Sequence, residues 1–251
     1  MTGRPAFNEL PLRSGDPKYS AWGLWGHNDE LGTLNHLSPT VTKDAVKDIV
    51  TGQHISLNLS IDAFKQPMNP VRKPCRHHII AKGHANDDEL HINTQGSSHW
   101  DGLRHYPYQD SLLYYNGVTQ EDISGMTPND KIGIQTFPDH YISSITDDGP
   151  QQTFRNAVSL EEMMQWHWDN QFAAVASDTV AYEAWPSKRP AAVALHEVFL
   201  SGWGMPIGES FDLETLADKC REEGRWSFFV TSIPLDIPGG VASPPCAVAI
   251  L

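Results

Sequence analysis

Between β-prone segments the sequence reads Thr94-Gln95-Gly96-Ser97-Ser98-His99-Trp100-Asp101-Gly102-Leu103-Arg104-His105. On an extended backbone alternate side chains share a face. Gln95, His99 and Asp101 then point the same way, and an imidazole nitrogen comes to lie beside a carboxylate oxygen. Such a pair can hold a divalent cation from one side. It can equally be a hydrogen-bonded His–Asp pair without metal, and spacing alone does not separate the two. Gly102 frees the backbone to turn, so His105 can return towards the same place. A histidine near a cation but not bound to it is suited to act as a general base near neutral pH.

A chain that positions such a group must first fold, and its composition allows this. With 251 residues, 39% of them hydrophobic, it can bury a real core as a single domain. The formal net charge is -13, which disfavours nucleic acid and anionic membranes as partners. No apolar run approaches the ~20 residues of a membrane span. The opening Met1 to Asp16 lacks the apolar segment of a secretory signal. Cys75, Cys220 and Cys246 form no Cys-x-x-Cys pair and read as reduced thiols of a cytoplasmic protein. The 12 histidines are the compositional oddity that draws attention to metal chemistry.

The elements alternate as expected of an α/β chain. Residues 1–37 suggest an ordered arm packed on something else, carrying Trp22 and Trp25. Ser38 caps a helix to about Gly52, with Val41, Ala45, Val46 and Ile49 on one apolar face. Ile55, Leu57, Leu59 and Ile61 alternate as a strand; residues 78–81 and 90–94 read as two more, joined by a turn from Gly83 to Asp88. Residues 106–157 are loop-like by composition. Ser159 and Glu162 form a capping box opening a helix to about Asn170. Phe172 to Ala176 reads as a strand, Val193 to Trp203 as a helix, and Asp212 as the cap of a helix ended by Gly224. Residues 226–231 and 246–251 read as strands.

The run from Gln95 to His105 resembles the signature HxGTHxDxPxH of the metal-dependent cyclase family, which includes bacterial kynurenine formamidase and isatin hydrolase. His99, Asp101 and His105 match its second His, its Asp and its last His, and Gln95 falls on its first His. The resemblance extends to Trp25 through Asn35, Trp168 through Asp178, Leu195-His196-Glu197, Pro206 through Glu209, and Gly239 through Pro245, in the family's order. It implies an α/β, cyclase-like swivelling β/β/α barrel-like domain with flanking helices. It further implies a divalent metal held by Gln95, His99 and Asp101 with help from His196 or Glu209, and His105 as the catalytic base. Without the family, His196 and Glu209 read as packed or capping residues. Asp178 and Glu183 read as surface or capping carboxylates, and His77, His78, His84 and His91 as edge and surface histidines. Trp22, Trp25 and Trp100 either wall an aromatic-substrate pocket or close the core.

The implied activity is hydrolysis of an amide, formamide or lactam C–N bond, of the arylformamidase type. A cyclisation or dehydration in secondary metabolism would use the same Lewis acid, and a non-catalytic remnant is the rival of another class. A homo-oligomer acting on a small molecule is expected. Two departures from the family bear on this. Gln95 replaces a His ligand; its amide oxygen suits Mn²⁺ better than Zn²⁺, which remains possible. Thr136 to Leu160 is a shortened, polar middle bridge, either a natural short form or a lost exon. If Gln95 is a ligand, Gln95→His should raise zinc affinity. Metal content and preference unchanged in that variant would place position 95 outside the ligand set.

Overall fold

The computed structural model describes residues 4–125, 129–137, 145–146, 159–184 and 193–251. It is a mixed α/β structure, the class expected from the sequence, built on two four-stranded sheets and a separate hairpin. The first sheet orders β1 (His54–Ser56), β10 (Ala247–Ile250), β8 (Ser227–Ser232) and β5 (Ile145–Thr146), all antiparallel. The second orders β6 (Val175–Ala176), β7 (Ile207–Glu209), β4 (His99–Asp101) and β9 (Ala242–Ser243). In it β6 runs parallel to β7 and the other pairs are antiparallel.

Strand β4 carries the motif and shows why it alternates. Trp100 points into a core with Leu57, Phe211, Phe228, Val230 and Ala249, and its indole donates to Ser232 Oγ at 2.8 Å. His99 and Asp101 face the other way. Helix α4 (Glu214–Glu223) closes this core through Leu216 and Cys220. A second core joins Phe7, Tyr19 and Ala21 of the arm to Met164 and Trp168 of α3 (Leu160–Asp169) and to Phe199 and Trp203. Phe199 and Trp203 belong to a wide, π-type helical segment, Glu197–Trp203, ended by Gly204 in the left-handed region. This segment is packed on the core; Trp203 and Trp168 donate to the carbonyls of Tyr19 and Pro5.

Several boundaries differ from the sequence expectation. Ser38 does cap α1 (Pro39–Ala45), but the chain then tightens at Val46–Asp48, so the predicted apolar stripe breaks. Only Ala45 is buried, while Val41, Val46 and Ile49 are exposed. Strands β2 (Arg76–Ala81) and β3 (Asn86–His91) pair across a shorter turn than expected, and nearly all their residues face solvent. The capping box at Ser159 and Glu162 is formed in both directions. Asp212 is not the cap of α4; Leu213 holds that position, and the Asp212 N–H donates to the Leu57 carbonyl. Residues 106–137 hold the short helix α2 (Gln120–Ile123) and contribute core side chains, including Tyr108, Tyr115, Ile132 and Ile134, despite their loop-like composition. Of the expected bridge from Thr136 to Leu160, most lies outside the described residues; Ile145–Thr146 adds an edge strand on β8. Among the described residues no helix is long and apolar enough to cross a membrane.

Gly208 shows how tightly the second sheet is built. A Cβ there would meet Ala176 Cβ and Phe211 Cε2 at 2.7 Å and Trp100 Cζ3 at 2.9 Å. Gly208→Ala should therefore cost about 1–3 kcal/mol of stability through overpacking, measured by urea unfolding. A variant as stable as the parent would show that β6 and β7 can spread without loss.

Candidate metal centre

Residues far apart in sequence meet on the free face of β4. In the β4–β7 ladder His99 lies directly across from Glu209. His99 Nε2 stands 3.5 Å from Asp101 Oδ1 and 3.4 Å from Glu209 Oε2. Its other ring nitrogen, Nδ1, lies 2.7 Å from the Ser97 carbonyl. A carbonyl can only accept, so Nδ1 carries a hydrogen and Nε2 is the nitrogen turned towards the two carboxylates. His196 enters from the start of the helical segment, its Nε2 3.1 Å from Glu209 Oε1 and its Nδ1 2.7 Å from Glu183 Oε1. His105 comes back after the turn at Gly102, with Nε2 3.7 Å from Asp101 Oδ2.

Asp101 is fully buried and His99 and Glu209 nearly so, whereas the His105 side chain keeps 21% of its exposure. Two triads of ligand-type side chains result, His99–Asp101–Glu209 and Asp101–His105–His196, sharing Asp101. Among the described residues the buried atoms His99 Nε2 and Asp101 Oδ2 have no hydrogen-bond partner. Unsatisfied buried polar atoms are rare in native proteins and call for a missing partner. An imidazole lone pair and carboxylate oxygens around one point are the donor set of a divalent cation, so these residues fit one.

The charges of the metal-free cluster are set by burial and by mutual attraction. Burial works against a charged His196, yet its bonds to Glu183 and Glu209 push its pKa up to about 10. Burial likewise opposes the charge of His99, but Asp101 and Glu209 raise its pKa overall. Burial lowers the pKa of His105, with His196 and Arg72 adding to the effect against the pull of Asp101. Burial would raise the carboxyl pKa of Glu209 and of Glu183; the hydrogen bond of each to His196, the nearby His99 ring for Glu209 and backbone N–H groups for Glu183 hold both below the usual range.

Of the residues singled out in the sequence, His99, Asp101, His105, His196 and Glu209 are brought together. Gln95 also reaches the cluster, but its amide nitrogen faces inward, donating to Asp101 Oδ1 at 2.6 Å and lying 3.2 Å from His105 Nδ1. Its side-chain amide thus touches both Asp101 and His105 at the edge of the cluster. The tryptophans are not brought to the cluster. Trp100 is on the opposite face of β4, Trp22 is buried against Tyr108 with its indole on the Ser201 carbonyl, and Trp25 packs edge-on against His36. Glu183 had read as a surface or capping carboxylate. It does cap, accepting from the Leu195 and His196 N–H groups, but it also fixes the His196 ring. No periodicity links Glu183 to His196, so the sequence held no signal for that contact. Asp178 and the histidines His77, His78, His84 and His91 are exposed, as expected.

No family model and no curated protein matches the chain. Among solved structures, the crystal structure of a protein described as a novel cyclase is similar with a TM-score of 0.76 and 24% identity, over 92% of this chain and 99% of that one. Isatin hydrolase A from Ralstonia solanacearum aligns with a TM-score of 0.48 and 14% identity, over 84% and 97% of the two chains. A predicted metal-dependent hydrolase from Bacillus stearothermophilus aligns with a TM-score of 0.45 and 16% identity, over 78% and 97%. The first of these alignments shows that the chain shares the fold of that cyclase structure, as the resemblance implied.

In the metal-free protein the folded pKa of His196, about 10, stands above the ~6.5 of an unfolded chain. Its contribution to stability is complete below ~6.5 and is lost as pH rises through about 10. The depressed carboxyls of Glu183 and Glu209 act the other way, adding stability that is lost as pH falls through the acid range. Metal-free protein should therefore lose stability between neutral pH and about 10, and His196→Gln should flatten that slope. Denaturant titrations across the range read this directly; an unchanged slope in the variant would assign the titration to another group.

Proposed function

We propose that the chain is a divalent-cation-dependent hydrolase that opens an amide, formamide or lactam C–N bond of a small molecule. The observation that carries the reading is the meeting of His99, Asp101, His196 and Glu209 around two buried atoms without partners, beside the partly exposed His105. His99, Asp101 and Glu209 would hold the cation, with His196 as a further ligand. The carboxylate oxygens of Asp101 and Glu209 favour manganese, and the histidines leave zinc possible. A cation bound there supplies Lewis acidity, polarising a carbonyl and lowering the pKa of water.

The chain's own groups do the rest. Ser97 and Glu183 fix the ring orientations of His99 and His196 through their second nitrogens. Gln95 holds the Asp101 carboxylate in place. His105, the cluster histidine whose pKa burial lowers, is neutral at physiological pH and can accept a proton at its ring. In the reaction, water oxygen bonds to the acyl carbon, its proton passes to His105, the C–N bond breaks, and His105 returns the proton to the leaving nitrogen. The shared fold of a protein described as a cyclase is compatible with this chemistry and does not select the substrate.

A second reading is favoured by one observation. Glu209 already accepts hydrogen bonds from the Tyr182 N–H and from His196, and Asp101 one from Gln95, so the cluster can close on itself as an ion-pair network. A non-catalytic member would look like this. His105→Ala and Asp101→Ala separate the readings. For the hydrolase, His105→Ala should keep its metal and lose on the order of 10²–10⁴ in turnover. Asp101→Ala should lose the metal first. If the parent protein takes up no metal and hydrolyses no C–N bond in a panel of formanilides and lactams, the non-catalytic reading stands. If His105→Ala strips the metal as fully as Asp101→Ala, His105 is a ligand and the base lies elsewhere.

A further inference from the structure

Arg72 lies in the loop between β1 and the hairpin, in a stretch whose residues are mostly exposed, yet its own side chain is half-buried. Its Nη1 donates to the Gln95 carbonyl at 2.9 Å. The side chain of that same Gln95 touches Asp101 and His105, so one residue joins the guanidinium to the cluster. Among the described residues no carboxylate pairs with Arg72, and the Gln95 carbonyl is its single acceptor. This is notable in a chain with 31 acidic and 18 basic residues. A guanidinium carries five N–H donors in a planar fork. One is spent on Gln95, which fixes the group at the edge of the cluster and leaves the others available.

We propose that Arg72 is the anion-recognising residue of this site and that it binds a carboxylate of the molecule being turned over. The inference rests on the hydrolase reading, because that reading supplies the chemistry. When water adds to an amide or lactam carbonyl and the C–N bond breaks, the nitrogen takes a proton and the acyl carbon leaves as an acid that ionises at neutral pH. The carboxylate on Arg72 is then either this new one or another already present in the substrate. Both are planar, two-oxygen anions that match the fork of an arginine, which lysine cannot reproduce.

Binding to the metal-free protein tests this independently of turnover. Calorimetric titrations would compare neutral benzamide, benzoate as the product-type acid, and phthalamate, an amide with a separate carboxylate. At least one acid should bind on the order of tenfold or more tightly than benzamide. Arg72→Gln should abolish that preference and Arg72→Lys keep only part of it, with the unfolding midpoint unchanged. Loss of the preference for phthalamate assigns Arg72 to a substrate carboxylate, and loss for benzoate to the product acid. No acid binding better than benzamide, or the same preference in Arg72→Gln, overturns the proposal. Metal uptake by the parent, measured on the same preparations, keeps the two ideas apart. Absent uptake would remove the hydrolase reading, while the acid preference would still be read on its own.

Discussion

Two carboxylates, Asp101 and Glu209, are buried side by side, and the rest of the site follows from the need to offset their charge. Like charges in a low-dielectric interior repel strongly and cannot both ionise without cations nearby. The chain brings His99, His196 and His105 to them, and a third acid, Glu183, behind His196. The histidines leave one gap: among the described residues His99 Nε2 and Asp101 Oδ2 have no hydrogen-bond partners. A dication at that point would meet both demands at once, supplying the charge and the missing contacts.

The fold meets this constraint with few elements. Alternation along β4 sends Trp100 to the core and His99 and Asp101 to the site, so one short strand anchors and reacts. The antiparallel register with β7 sets Glu209 opposite His99. The close contacts around Gly208 hold that register. After Glu209 the chain turns through Ser210 in the left-handed region, φ 55, where the Ser210 carbonyl accepts from Ser98 Oγ. A non-glycine residue there is uncommon. Strand and site are thus tied together on both sides of the cluster.

Much of this was legible in the sequence where the signal was local. The alternation of His99 and Asp101, the return of His105 after Gly102, and the caps at Ser38 and Ser159 all depend on neighbours in the chain; Gln95, expected on the same extended face, instead lies in a turn before β4. The resemblance to the cyclase motif added His196 and Glu209, which spacing could not have connected. Long-range contacts were not legible. The clasp of Glu183 on His196, the approach of Arg72 to Gln95 and the contact of the Gln95 side chain with Asp101 depend on how loops pack. For the tryptophans the sequence left two readings open, because a large aromatic closes a core as readily as it lines a site, and Trp22 and Trp100 lie in cores. The apolar face of α1 failed for a different reason: the helix tightens after Ala45, and the periodicity on which the face rests ends there.

The central claim is that the buried cluster is a cation site, and ligand-linked stability tests it most directly. Metal-free protein would be unfolded by heat at increasing Mn²⁺, alongside Glu209→Gln. A cation bound only by the folded state stabilises it in proportion to the logarithm of concentration once the site is filled, by about 2.7 kcal/mol at 100 times the dissociation constant. The account predicts a rising midpoint in the parent and the same rise displaced to much higher Mn²⁺ in Glu209→Gln. A midpoint that ignores Mn²⁺ and Zn²⁺, or one that rises identically in both proteins, would contradict it.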